Sequence, residues 1–290
     1  MSAVLRVNML LRYYENHAKA SLIGIACNLR FIYAPTNRKN SPIHYQNMKP
    51  RILLIFLLCL TNLGAEKKDP GTVVLTFDDS VASQATFVAP LLKKYGFGAT
   101  FFITEGFGFK KDKKNYMTWE QIKKLHEDGF EIGNHTRRHI SVGRQTEEQL
   151  HADVEYIEKQ CETHGIPKPV SFCYPAYQTT KRAVKVLRQR GYRFARTGGS
   201  RAYDPEKDDP LLMPQAFDGK PQSTLKQFKE AVAKAGNGKI AIMTFHGVPD
   251  VKHPWVNTDP EKFEAYMKHL KESGCRVIAL RDLKIPKPSE

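Results

Sequence analysis

The chain has 290 residues, 41% of them hydrophobic and 26% charged, and a formal charge of +15. This is an ordinary globular composition, long enough for one large domain or two small ones. The basic excess invites a nucleic-acid reading, but residues 1–65 carry eight Lys and Arg against the single Glu15. The remainder mixes both signs and shows no RNA-binding or zinc-finger signature, so nucleic acid is not the expected partner, and attraction to anionic cell-wall polymers is the milder inference.

In chain order, the first patterned segment begins at Met48. Lys49 and Arg51 supply a positive start, Ile52 to Leu60 an apolar run, and Leu63-Gly64-Ala65 a small-residue cleavage point. This is the plan of a secretory signal peptide at 48–65, and the run is too short for a stable transmembrane anchor. The reading expects a secreted or periplasmic protein that starts at Met48, with 1–47 a non-native or unstructured extension; the alternative is a native extension with an uncleaved anchor. Beyond residue 65 only Cys161, Cys173 and Cys275 remain, which is no disulfide framework.

From Gly71 onward, 66–290 reads as one catalytic domain in which strands alternate with helices. The strand-like runs are 72–77, 98–103, 130–135, 170–175, 192–197, 239–245 and 275–280. The helix-like runs are 81–95, 118–128, 146–163, 179–190, 222–235 and 259–273. "TWEQ" at 118–121 and "TEEQ" at 146–149 are capping boxes, and Gly96, Gly129, Gly191 and Gly274 close helices before the next strand. Apolar strands separated by amphipathic helices predict an α/β fold, a distorted (β/α)7–8 barrel of parallel strands. Residues 198–222 form the one long irregular insert.

In such folds ligands sit at the carboxyl ends of the strands. Asp78 and Asp79 end the first strand, and two like charges side by side require a cation or a shared proton. His135 and His139 follow the third strand; their spacing places both rings on one face if a helical turn follows. Two histidines and a carboxylate make a catalytic metal set with open positions. His246 ends the sixth long strand. Taken singly, each has a plainer reading: a solvated turn, a surface helical pair, a satisfied core histidine. Their shared position at strand ends favours one site.

The order "TFDD" (76–79), "HTRRH" (135–139), "FCYPAY" (172–177) and "FHG" (245–247) resembles the polysaccharide deacetylases of the NodB-homology type, carbohydrate esterase family four, over roughly residues 72–283. The resemblance implies metal-dependent removal of acetyl groups from an N-acetylated, or O-acetylated, polysaccharide or cell-wall glycan. It implies Asp78 as general base, His246 as general acid, and Asp79, His135 and His139 as ligands of one divalent ion, zinc first, with cobalt, nickel or manganese as alternatives. It makes the Ala176 N–H a candidate oxyanion donor, and puts Tyr174, Pro175, Ala176 and Tyr177 beside substrate; Arg201 and Trp255 are expected there too, Trp255 stacking on a sugar face or else packing internally. The chain departs from the pattern at three places. Ser80 replaces the usual glycine. Cys173 stands where an arginine often steadies the catalytic aspartate, leaving Arg196 or Arg201 as substitutes. No Asp-Trp pair is evident, so Asp204, Asp208, Asp209 and Asp218 are the candidates to orient His246. Two competing functions remain: a metal-dependent amidase acting on a small non-sugar amide, and a non-catalytic glycan-binding relative.

Overall fold

The first strand, β1 (Thr72–Phe77), has Val73, Val74, Leu75 and Phe77 fully buried on both of its faces. Such a strand must be covered on both sides, and in the computed structural model, which describes residues 70–284, it lies at the centre of an all-parallel sheet. The signal peptide expected at 48–65 and the extension 1–47 lie outside the described residues. The other strands are β2 (Thr100–Ile103), β3 (Glu131–Asn134), β4 (Ser171–Cys173), β5 (Phe194–Arg196), β6 (Phe217–Asp218), β7 (Ile240–Phe245) and β8 (Arg276–Ile278).

The strand order is β5-β4-β3-β2-β1-β7-β6, with β8 paired to β1. One edge of β1 matches β7 along its whole length, from Thr72 opposite Ile240 to Phe77 opposite Phe245. The other edge is shared. β8 takes Thr72 to Val74, and β2 takes Thr76 and Phe77. The sheet curls, and the chain just before β6 spans its open side: Met213 bridges Arg196 of β5, and four residues later Phe217 pairs with Met243 of β7. The expected distorted barrel of parallel strands is therefore the observed fold. The insert expected to be irregular holds one further strand, β6; with only two residues in it, there is no alternation to read.

Among the described residues, six α-helices cover the sheet: α1 (Ala89–Tyr95), α2 (Trp119–Glu127), α3 (Glu147–Thr163), α4 (Lys181–Gln189), α5 (Leu225–Val232) and α6 (Pro260–Ser273). Both expected capping boxes form, Thr118 with Gln121 and Thr146 with Gln149, and Thr224 with Gln227 adds a third. Each cap contributes about 1 kcal/mol by satisfying donors the helix leaves open. A π-helical turn, Gln84–Val88, leads into α1. In the core between sheet and helices Phe77 stacks on Phe101 and Phe245, and Phe263 meets Phe77 and Phe245 edge to face, with ring centroids 5.0 to 5.9 Å apart. That packing fixes the upper ends of β1, β2 and β7, where the polar residues emerge. Among the described residues, no helix is long and apolar enough to cross a membrane.

Candidate active site

At the end of β1 the chain turns sharply, and both Asp79 (φ 71°) and Ser80 (φ 56°) take left-handed backbone. Glycine adopts this conformation without strain, which explains why glycine suits position 80. Here the cost is offset by a reciprocal pair: Ser80 Oγ donates to Thr104 O (2.9 Å) and accepts from Thr104 N–H (2.9 Å). The turn holds Asp78 and Asp79 against the floor of a cavity of about 300 Å³.

Asp79 Oδ1 lies 3.4 Å from His135 Nε2 and 3.2 Å from His139 Nε2, and the two ring nitrogens are 3.0 Å apart. Yet Asp79 Oδ1 is buried without an aligned hydrogen-bond donor. Three atoms that can each offer a lone pair thus converge on one point, and a divalent cation fits them. His135 is set up for this: its Nδ1–H faces the Cys173 carbonyl at 2.8 Å, which leaves the Nε2 lone pair toward the cavity. The rings do not converge through a helical turn, as their spacing suggested. Residues 135–141 form a loop in which Thr136 (φ 64°) and His139 (φ 55°) are left-handed. Thr136 N–H donates to Asn134 Oδ1 (2.9 Å) and His139 N–H to Thr136 Oγ1 (3.1 Å), so side chains shape the loop.

The electrostatics match a coupled cluster. Burial alone would raise the Asp79 carboxyl, but the adjacent His135 and His139, with the charge of His246, hold it well below its ordinary value. Burial and the charge of His135 lower His139. Burial opposes a charge on His135, but Cys173, Asp79 and Asp78 outweigh it and raise that ring.

Asp78 has a different environment. Its Oδ2 is held by the Nη2 of Arg196, which is fully buried in β5, while Oδ1 has no partner. Arg196 Nη1 donates to Gln215 Oε1 (3.0 Å), and its Nη2 lies 2.6 Å from Cys173 Sγ. Arg196 therefore stands where an arginine in place of Cys173 could stand. Arg201 does not: its guanidinium forks onto Asp208 (2.6 and 2.8 Å), and its side chain is 58% exposed away from the cavity. Arg201 is thus not placed to touch substrate, because a closer carboxylate holds it.

His246 Nε2 lies 3.9 Å from Asp78 Oδ2 and 3.8 Å from Asp79 Oδ2. Its Nδ1 is buried with no hydrogen-bond partner, so none of the four candidate acids orients it. Asp204 and Asp208 belong to the Arg201 loop, Asp209 pairs with Arg188 at 2.8 Å, and Asp218 meets Lys220 at 2.9 Å and the Tyr177 hydroxyl at 3.2 Å. A residue that sequence reasoning missed does position this corner. The buried Gln84 side-chain amide donates to the backbone carbonyls of Asp78 and of His246, the latter at 3.2 Å, pinning the ends of β1 and β7 together. It sits at the start of the π-turn, a distortion frequent at functional sites, but a lone glutamine carries no sequence signal.

Tyr174, Ala176 and Tyr177 line the cavity, with Ala176 (φ 54°) and Tyr177 (φ 59°) left-handed in a tight turn. Pro175 is buried beneath them and starts that turn without lining the cavity. The Tyr174 hydroxyl donates to Leu211 O at 2.9 Å. Trp255 is 66% exposed at the rim, so it is not an internal packing residue.

Residues 65–195 match the family described as polysaccharide deacetylase. The peptidoglycan-N-acetylglucosamine deacetylase of Bacillus cereus is 30% identical over 125 residues, 41% of this chain and 53% of that protein. The chain spans about half the length of the curated relatives it matches. Among solved structures, a family 4 acetyl xylan esterase from Clostridium thermocellum in complex with a cobalt ion shares the fold at TM-score 0.52 and 20% identity, over 73% of this chain and 89% of that one. A family 4 pseudoenzyme from Bacillus anthracis does so at TM-score 0.52 and 17% identity, over 73% and 65%. The fold alone therefore does not decide activity; the site must.

Proposed function

We propose, from the chain's membership of the polysaccharide deacetylase family, that it is an exported hydrolase which removes acetyl groups from an N-acetylated cell-wall glycan with the help of one divalent metal ion. The observation that carries this reading is the convergence of Asp79, His135 and His139 on one point beside an Asp78 with a free Oδ1. Asp79, His135 and His139 would hold the ion, zinc first, with cobalt, nickel or manganese as alternatives. When bound, such an ion polarises an acetyl carbonyl and lowers the pKa of water in its reach.

The chain's own residues divide the remaining work. Arg196 pairs with Asp78 and fixes its Oδ2, leaving Oδ1 to accept the proton of the attacking water. The water oxygen bonds to the acetyl carbon as that proton leaves. The Ala176 N–H is our candidate to share the developing oxyanion charge. His246, within 4 Å of both aspartates, donates a proton to the leaving nitrogen as the carbon–nitrogen bond breaks, giving acetate and a free amine. An amine is a poor leaving group and needs that proton; an O-acetyl ester's alkoxide needs it less. The expected base, acid and three ligands are all present in this chain, which argues against a non-catalytic binding role.

The test is acetate release from N-acetylated glycans, peptidoglycan fragments and small non-sugar amides, before and after chelation and with each metal restored. Release from glycans that stops on chelation and returns with metal supports the reading. Turnover of small amides alone would move it to an amidase, and no turnover with full metal content would move it to a binding protein.

A further inference from the structure

Among the residues that line the cavity, Lys220 is the one Lys or Arg. It belongs to the insert 198–222 and follows β6, the strand beside β7. A network of hydrogen bonds fixes the turn that carries it. Gly219 N–H donates to Thr244 O (2.8 Å), Lys220 N–H to Ser223 Oγ (3.1 Å), Ser223 N–H to Lys220 O (2.9 Å) and Ser223 Oγ to Asp218 O (2.9 Å). A Cβ on residue 219 would collide with the Phe245 ring, so the glycine there lets the turn lie close against β7. The insert thus delivers a cation to the cavity on rigid backbone.

The side chain is aimed as well. Lys220 Nζ lies 2.9 Å from Asp218 Oδ2, which also accepts from the Tyr177 hydroxyl at 3.2 Å. An ammonium has three N–H donors, and Asp218 takes one. Two are left for a ligand. Opposite charges are segregated in the cavity: Asp78 and Asp79 end β1, and β7 separates that strand from β6 and Lys220. The cavity, about 300 Å³, is at the small end of ligand pockets, which run roughly 300–1,000 Å³. It holds little more than one sugar unit, so the ammonium and the Asp79–His135–His139 cluster face the same unit. A single ammonium already shared with Asp218 matches one negative charge, a carboxylate rather than a phosphate dianion.

We infer that Lys220 is a specificity-determining residue that recognises a carboxylate carried by the same sugar unit whose acetyl group is removed. This rests on the proposed glycan function and deepens it: the preferred substrate is an acidic N-acetylated sugar, with either a C6 carboxylate or an acidic ether on a ring hydroxyl, and not a neutral one.

The experiment uses the full chain with its metal and two matched pairs of N-acetylated glucosamine derivatives. One pair bears a C6 carboxylate and the other an O3-linked carboxylic acid ether, each as the free acid and as its carboxamide. The members of a pair differ in charge and hardly in shape. At low salt the acid of at least one pair should exceed its carboxamide in kcat/KM roughly tenfold, through KM rather than kcat, and the pair that does so identifies the source of the carboxylate. In Lys220→Met that ratio should fall to about one, whereas Lys220→Arg, which keeps the charge, should retain most of it. Added salt should shrink it in the wild type. Because a ratio is read, general damage from leaving Asp218 without its ammonium cancels. Independently of turnover, calorimetric binding of the same pairs should show the same difference in Kd. A wild-type ratio of about one in both pairs, or a ratio that survives Lys220→Met, overturns the role of Lys220, while acetate release leaves the deacetylase reading intact. Failure of every derivative and of the neutral glycans to release acetate sinks the deacetylase reading instead, and the binding difference then decides Lys220.

Discussion

The two ends of the barrel each bury carboxylates, and they treat them in opposite ways. At the lower end Glu131, the first residue of β3, accepts from Thr100 Oγ (2.7 Å), Ser171 Oγ (2.6 Å) and the Arg281 N–H (2.8 Å). Those donors come from the starts of β2 and β4 and from the C-terminal turn, so the group ties four segments together. At the upper end Asp78 Oδ1, Asp79 Oδ1 and His246 Nδ1 are buried without partners. Buried polar groups in native proteins are nearly always satisfied. A satisfied carboxylate is a structural tie, and a cluster of unsatisfied ones is where a ligand completes the bonding.

Removing a partner from each end should therefore have different consequences. The largest effect is expected for His135→Ala or His139→Ala, where metal content and acetate release should disappear together. Elemental analysis finding full metal occupancy in either variant would show that the upper cluster is not the ligand set. Next is Asp78→Asn, isosteric but unable to take a proton. Turnover should fall on the order of 10²–10⁴-fold with metal retained. Near-normal turnover with intact metal would assign the base to another group.

Arg196→Met tests the buried ion pair at the upper end. It leaves the Asp78 charge buried and unpaired, which costs about 3–5 kcal/mol of stability. A denaturant midpoint unchanged from wild type would mean that Asp78 is not held by this guanidinium. Arg201→Met, which breaks only an exposed pair, should change stability by less than about 1 kcal/mol and is the matched control.

The smallest effect belongs to the lower end. Burial raises the Glu131 carboxyl above its ordinary 4.5, against the pull of its three donors. A carboxyl raised in the folded state stabilises the fold when protonated. Its contribution is full below the unfolded value and is lost as pH rises through the folded one. Wild type should thus lose stability relative to Glu131→Gln as pH increases from about 4 toward neutrality, with metal content the same in both. A stability difference that is flat across that range would contradict the burial effect, and a loss of metal would erase the distinction between the two ends.

Much of this molecule is set by local pattern. The alternation of apolar strands and capped amphipathic helices, the parallel sheet it requires, and the placing of Asp78, Asp79, His135, His139 and His246 at strand ends are all legible in the sequence, because periodicity and strand ends are local properties. The tertiary structure decided what depends on curling the sheet. Arg196 reaches Asp78 across 118 residues and from four strands away along the sheet, a meeting that only a closed barrel interior allows. The same closure leaves Arg201 outside, paired with Asp208. The His135 and His139 rings converge through a left-handed loop fixed by side-chain hydrogen bonds rather than through a helical turn, so their spacing indicated the outcome without the route. Phe107 and Trp255 are far apart in the chain, and both rings lie beside His253 because the loops after β2 and β7 rise on either side of β1, an adjacency that sheet order alone creates.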